Sequence, residues 1–141
     1  MTLEYTFKPY NQIGECVFGM ERKKIIEVLG EPLSTKPYGY PLANGFLDDY
    51  GFFYILSNSN GLFEAIEIFP EYTENIIILD CYGKKIELSN DIEKTVAALK
   101  SITDDLLEDS EGYNSNKLGL GLFCFDNCVE NVIIYTQNYY D

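Results

Sequence analysis

Apolar positions recur along this chain at two different periods, and the switches between them outline its elements. Over residues 19–29, Met20, Ile25, Ile26 and Leu29 fall on one side of a helix, while Glu21, Arg22, Lys23, Lys24 and Glu27 face mostly outward. The run ends at Leu29-Gly30-Glu31-Pro32, where glycine supplies a left-handed exit and proline forbids continuation. A second helix is predicted over about 91–107 from the stripe Ile92, Val96, Leu99, Ile102 and Leu106, with Asn90 and Glu93 spaced as a capping box.

Extended patterns fill most of the remainder. Strands are predicted at 3–7, 46–50, 52–56, 62–69, 75–80, 84–88, 118–125 and 129–135, with a short extended stretch at 16–18. On the 62–69 strand, Glu64, Ile66 and Ile68 are expected on one face. Asn44-Gly45 and Asn60-Gly61 read as type I′ hairpin turns, because Asn-Gly accepts the positive φ values that such turns require. Tyr82-Gly83 marks another turn. The segment 34–41 is rich in Pro, Tyr and Gly and is predicted as an exposed loop, and 108–117 is polar and turn-rich.

The pattern also repeats itself. Residues 19–29 align without a gap on 89–99, and Phe63-Glu64-Ala65-Ile66-Glu67-Ile68-Phe69 aligns on Val129-Glu130-Asn131-Val132-Ile133-Ile134-Tyr135. Self-similarity of this kind points to two related supersecondary units, about 1–72 and 73–141, in a single domain. Short hairpin-linked strands with only two helices predict an α+β fold: one antiparallel sheet running through both units, with the helices on one face. The other sheet face is then left partly exposed, and an exposed aromatic-studded sheet is a ready protein-binding surface.

Composition adds a sign to that surface. The chain carries 23 acidic and 10 basic residues and a net charge of −13, a field that repels nucleic acid and anionic membrane and steers basic partners inward. Apolar runs such as Ile76-Ile77-Ile78-Leu79 are too short to cross a bilayer, and the first residues lack a secretory pattern, so a cytoplasmic protein is expected. Four cysteines, Cys16, Cys81, Cys124 and Cys128, are then expected as free thiols, with Cys124 and Cys128 at the two ends of a tight hairpin.

Most catalytic constellations are missing. With no histidine, triads and imidazole metal sites are excluded, and no GxxxxGK[ST] phosphate loop is present. No cofactor and no metal are expected. Adjacent carboxylates at Asp48-Asp49 and Asp104-Asp105 leave open a carboxylate-based metal-dependent hydrolase, which requires them to converge in a cleft. The densest acidic cluster is Asp104, Asp105, Glu108, Asp109 and Glu111, followed by Tyr113. Negative charge at the C-terminus of the second helix opposes the macrodipole, a local cost that hints at use. Twelve tyrosines and no tryptophan make tyrosine the natural interface anchor, above all Tyr38 and Tyr40 in the 34–41 loop and Tyr139-Tyr140 near the end.

Gly14-Glu15-Cys16-Val17-Phe18-Gly19-Met20, the helix ending Leu29-Gly30-Glu31-Pro32, the strand Phe63-Glu64-Ala65-Ile66-Glu67-Ile68 and the close in Tyr139-Tyr140-Asp141 resemble the small immunity proteins of bacterial contact-dependent growth inhibition and related polymorphic toxin systems. The duplicated helix-plus-hairpin layout is also similar to the tandem-repeat β-lactamase inhibitory proteins. The resemblance implies a binding protein, not an enzyme, that neutralises a cognate toxin domain, such as a basic nuclease, by occluding its active site. It carries no site residues. The contact residues expected from charge and tyrosine content are Asp104, Asp105, Glu108, Asp109, Glu111 and Tyr113, then Tyr38, Tyr40, Asp48 and Asp49. A small acidic scaffold domain without a toxin partner is the other open reading.

Overall fold

The computed structural model describes residues 1–140 and is an α+β structure dominated by strands. The chain opens with β1 (Thr2–Lys8) and the two-residue strands β2 (Gln12–Ile13) and β3 (Cys16–Val17), then α1 (Arg22–Leu29). Four strands follow in a meander: β4 (Ser34–Tyr38), β5 (Gly45–Asp49), β6 (Phe53–Ser57) and β7 (Phe63–Ile68). The second half runs β8 (Ile76–Cys81), β9 (Lys84–Leu88), α2 (Ile92–Lys100) and a second meander of β10 (Leu107–Glu108), β11 (Gly112–Ser115), β12 (Leu120–Phe125) and β13 (Cys128–Tyr135). No helix among the described residues is long and apolar enough to cross a membrane.

The strands form two sheets rather than the one antiparallel sheet expected. An eight-stranded antiparallel sheet has the order β10-β11-β12-β13-β7-β6-β5-β4, so the two meanders meet where β13 pairs with β7. A smaller sheet, β3-β2-β1-β8-β9, is held at its centre by a parallel pairing of β1 with β8. The physical reason lies in connectivity. A hairpin turn makes neighbours antiparallel, whereas β1 and β8 are separated by an entire helix-and-meander unit and are free to align in the same direction.

Alternation along the strands divides the large sheet into two faces. Ile55, Ile66, Ile68, Leu120, Leu122, Val132 and Ile134 belong to the main core, together with Phe7, Ile77, Leu79 and Ile86 of the small sheet and Ile25, Val96 and Leu99 of the helices. Intervening residues Leu56, Ala65, Ile133 and Tyr135 form a second cluster on the opposite, outer face, against which Tyr38, Leu47, Tyr54, Phe123 and Tyr139 pack. The main core draws 21 buried residues from both helices, both sheets and their connections, so these positions are the least tolerant of change.

Local chemistry accounts for most boundaries, and for the departures from expectation. Helix α1 stops at Gly30, whose φ of 89° no β-carbon-bearing residue adopts cheaply. Helix α2 is capped by Asp91, whose side chain accepts from the Lys94 N–H at 3.0 Å, in place of the expected box on Asn90. It ends at Lys100, well short of residue 107, with the Ser101 hydroxyl donating back to the Ala98 carbonyl at 2.6 Å. The acidic stretch therefore lies beyond the helix, and the expected clash with its dipole does not arise. Segment 34–41 is not wholly a loop: Ser34–Tyr38 is the edge strand β4, where Pro37 needs no ladder donor on its open side. Gly45 likewise opens β5, paired with Tyr38, rather than sitting in a turn, and a β-carbon there would collide with the Ser57 and Tyr38 carbonyls.

Candidate partner-binding face

The outer face of the large sheet is where carboxylates and tyrosines converge. On β7, Ala65 packs outward while Ile66 and Ile68 point into the main core, so Glu67 between them lies on the outer face. Glu67 pairs across the sheet centre with Ile133 of β13. Two irregularities flank this pair. In β6–β7 the register shifts so that Leu56 faces Ala65 and Ser57 faces Phe63, leaving Glu64 in a bulge. In β12–β13 it shifts so that Phe123 faces Asn131 and Cys124 faces Val129, leaving Glu130 in the corresponding bulge. The bulge turns Glu64 away from the Ile66–Ile68 face on which alternation places it, and it lines a recess with Tyr38, Tyr139 and Tyr140.

Electrostatics mark these carboxylates as ill-satisfied. The ion pairs among the described residues use Glu4, Glu27, Asp48, Glu87 and Asp104, and none involves Glu64, Glu67 or Glu130. Burial pushes the Glu64 carboxyl above the usual range. Burial does the same to Glu67, and the charge of Glu130 adds to it. Like charges in a partly dehydrated, aromatic setting are held at a cost that a cation would relieve.

The aromatic frame is interlinked. The Tyr38 and Tyr139 hydroxyls are hydrogen-bonded to each other, tying edge strand β4 to the segment after β13. Tyr135 makes edge-to-face contacts with both Tyr139 (5.9 Å) and Tyr140 (5.0 Å), and its hydroxyl donates to Asn114 Oδ1 at 2.8 Å. Burial lifts the Tyr38 and Tyr140 phenols to about 12, and burial together with the Tyr38 contact lifts Tyr139 further, so all three remain neutral donors across the physiological range. Two recesses open on either side of Tyr140. One, of about 770 Å³, is bounded by Tyr38, Tyr40, Glu64 and Tyr139. The other, of about 300 Å³, is bounded by Asp109, Glu111, Phe123 and Ile133, with Gly121 contributing no side chain to its floor.

The expected contact residues scatter. Tyr38, Glu111 and Asp109 border the outer face, and Tyr40 stands at its rim, 97% exposed. Asp109 is also committed to its turn, accepting from the Glu111 N–H at 2.8 Å and the Gly112 N–H at 2.9 Å. Glu108 is exposed on the short edge strand β10, paired opposite Tyr113. Tyr113 itself packs against the main core and also borders the smaller recess.

Asp48 is a correction. Its side chain is 1% exposed and clamped by Arg22, Nε to Oδ2 at 2.7 Å and Nη2 to Oδ1 at 2.8 Å, with the Thr35 hydroxyl donating at 2.7 Å. Leu47 packs on the outer face, so its neighbour Asp48 must turn inward, and it serves the fold rather than the surface. Asp49 accepts the Gly51 N–H at 2.7 Å within its turn.

Asp105 is a second structural carboxylate. It accepts from the Ser115 hydroxyl at 2.5 Å, the Thr103 hydroxyl at 2.6 Å and the Lys117 N–H at 2.8 Å. Burial pushes its pKa up, but these donors win and hold it below the usual range. Asp104 instead pairs with Lys117 Nζ at 2.5 Å in the open. Neither adjacent pair converges on a common point, and no cluster of three or more metal-ligating side chains occurs among the described residues. All four cysteines are free thiols. In the β12–β13 hairpin Cys124 faces Val129 and Cys128 faces Phe125 across the two-residue turn at Asp126-Asn127, so the thiols are not cross-strand partners.

The outer-face residues that the expected list lacks are Glu64, Glu67, Glu130, Tyr54, Phe123, Tyr139 and Tyr140. One signal for them stood in the sequence: a glutamate at the same position of both aligned strands, each inside an otherwise apolar run. Comparison with protein-family models, with curated proteins and with solved structures finds no match to this chain.

Proposed function

We propose that this chain is an immunity-type binding protein that neutralises a basic toxin domain by laying the outer face of its large sheet across the toxin's active site. The carrying observation is the row Glu64, Glu67 and Glu130, none in an ion pair, with Glu64 and Glu67 partly dehydrated beside hydrogen-bonded tyrosines. Isolated, such carboxylates are a local cost. Against lysines and arginines they become charge-assisted contacts, and the net charge of −13 draws the partner in from a distance. The preordered tyrosines add anchoring area with little side-chain entropy left to lose.

The architecture fits the reading. In it the two halves are copies, each a strand layer, a helix and a four-stranded meander, with both helices on the inner side of the large sheet. Glu67 facing Ile133, its counterpart in the sequence alignment, and bulges at the counterpart residues Glu64 and Glu130 support duplication about a two-fold between β7 and β13. The outer face is then a broad platform made by both copies. The test is co-expression with the protein encoded immediately beside it. Restored growth of cells carrying that protein, together with a co-purifying complex, supports the proposal, and unabated toxicity or a harmless neighbour removes it.

A further inference from the structure

A third recess lies on the other side of the large sheet, in the seam between the two sheets. It has a volume of about 470 Å³ and is walled by Tyr5 from the small sheet, Leu29 from α1 and Phe52 and Phe53 at the start of β6, with Ile13, Ile55 and Ile66 buried behind them. That volume falls in the range of small-molecule sites, and walls of this kind exclude water from an apolar guest. Its polar lining has one sign. Glu4 and Glu15 stand among the lining residues and no Lys or Arg does, while Gln12 donates its amide to the Gly14 carbonyl at 2.7 Å and so keeps its oxygen as an acceptor. Glu4 is engaged by Lys85 at 2.9 Å, which leaves Glu15 as the carboxylate without an ion-pair partner among the described residues.

We infer that this seam is a binding site for a small organic cation, an apolar ring-sized body held between the sheets with its ammonium group at Glu15 and Gln12. Nothing in this depends on the outer face, since the two surfaces lie on opposite sides of the large sheet. Cys16 also lines the recess, and burial first, then the Glu15 charge, lifts its thiol to about 11, so the guest meets a neutral, unreactive sulfur. Apolar walls supply affinity and the acceptor rim supplies selection against anions.

The test uses a matched trio of probes: 2-phenylethylamine, 2-phenylethanol and 3-phenylpropanoate, titrated into the full chain and followed by amide and methyl chemical shifts. The amine is expected to saturate at about 1 mM, perturbing Tyr5, Ile13, Ile55 and Ile66, with the anion weaker by at least about tenfold. Glu15→Gln is expected to weaken the amine by about threefold and leave the alcohol unchanged. Leu29→Trp, at a lining position already 37% exposed and hence tolerant, is expected to block all three. Equal binding of amine and anion, shifts located away from the seam, or no saturation with any probe overturns the inference.

Discussion

Carboxylates in this protein do two different jobs, structural and surface, and neighbouring side chains rather than residue type decide which. Asp48 is the deepest, and its charge is matched by the Arg22 fork, a planar pairing that a single substitution would leave half-empty. Asp48→Asn is expected to cost roughly 2 kcal/mol of folding stability, less than for a fully buried pair because Arg22 retains access to water, and to leave partner affinity unchanged once the protein is folded. Urea unfolding alongside a binding titration separates the two quantities. Glu67 behaves in the opposite way. Its raised pKa means that the charged form is disfavoured on folding, so the penalty is absent below the ordinary carboxylate range and fully present above the raised value. Stability lost as pH climbs through that window is expected to be recovered in Glu67→Gln, which should show a higher urea midpoint than wild type near about pH 7 and the same midpoint near about pH 3.5. Asp105, held low by its donors, has the reverse sign: its contribution is present above the usual carboxylate range and is lost as pH falls through its depressed value.

Elements with a strong period were legible in the sequence, and those shaped by a partner strand were not. The apolar stripe and Gly30 defined α1, and Tyr82-Gly83, both at positive φ, defined the β8–β9 hairpin. By contrast, Ser34–Tyr38 lacks alternation because an edge strand needs little buried surface of its own, and Gly112–Ser115 lacks it because its buried ends are Gly112 and Ser115, which no hydrophobic pattern marks. The apolar stripe runs past the end of α2 because Ile102 and Leu106 do pack on the main core, though from irregular chain rather than from a helix. The bulges were invisible for a related reason: a bulge is a property of two strands in register, and neither sequence alone records it. Gly112 shows how strict such pairings are. Its φ is 153° and a β-carbon would overlap the Leu122 carbonyl oxygen on the adjacent strand, so Gly112→Ala is expected to cost at least about 3 kcal/mol or to prevent folding, measured by chemical denaturation.

At the scale of the whole molecule, one sheet separates two chemistries. One core cluster takes residues from both helices and both sheets, and the outer face carries carboxylates framed by tyrosines. Of that face, the sequence disclosed the sign of the charge and the surplus of tyrosine, but it pointed to the densest acidic cluster at 104–113, where Asp104 and Asp105 are already engaged by Lys117, Ser115 and Thr103. Dense charge attracts attention, whereas binding potential lies with charge that has no internal partner. The account stands on the outer face being the surface that meets the partner. The direct test is the dissociation constant of the complex with the neighbour-encoded toxin for wild type and for Glu64→Lys/Glu130→Lys, two positions at bulges where a long side chain is accommodated. The expected result is a loss of at least about 100-fold with unchanged folding stability. An affinity within about threefold of wild type would contradict the assignment of the outer face.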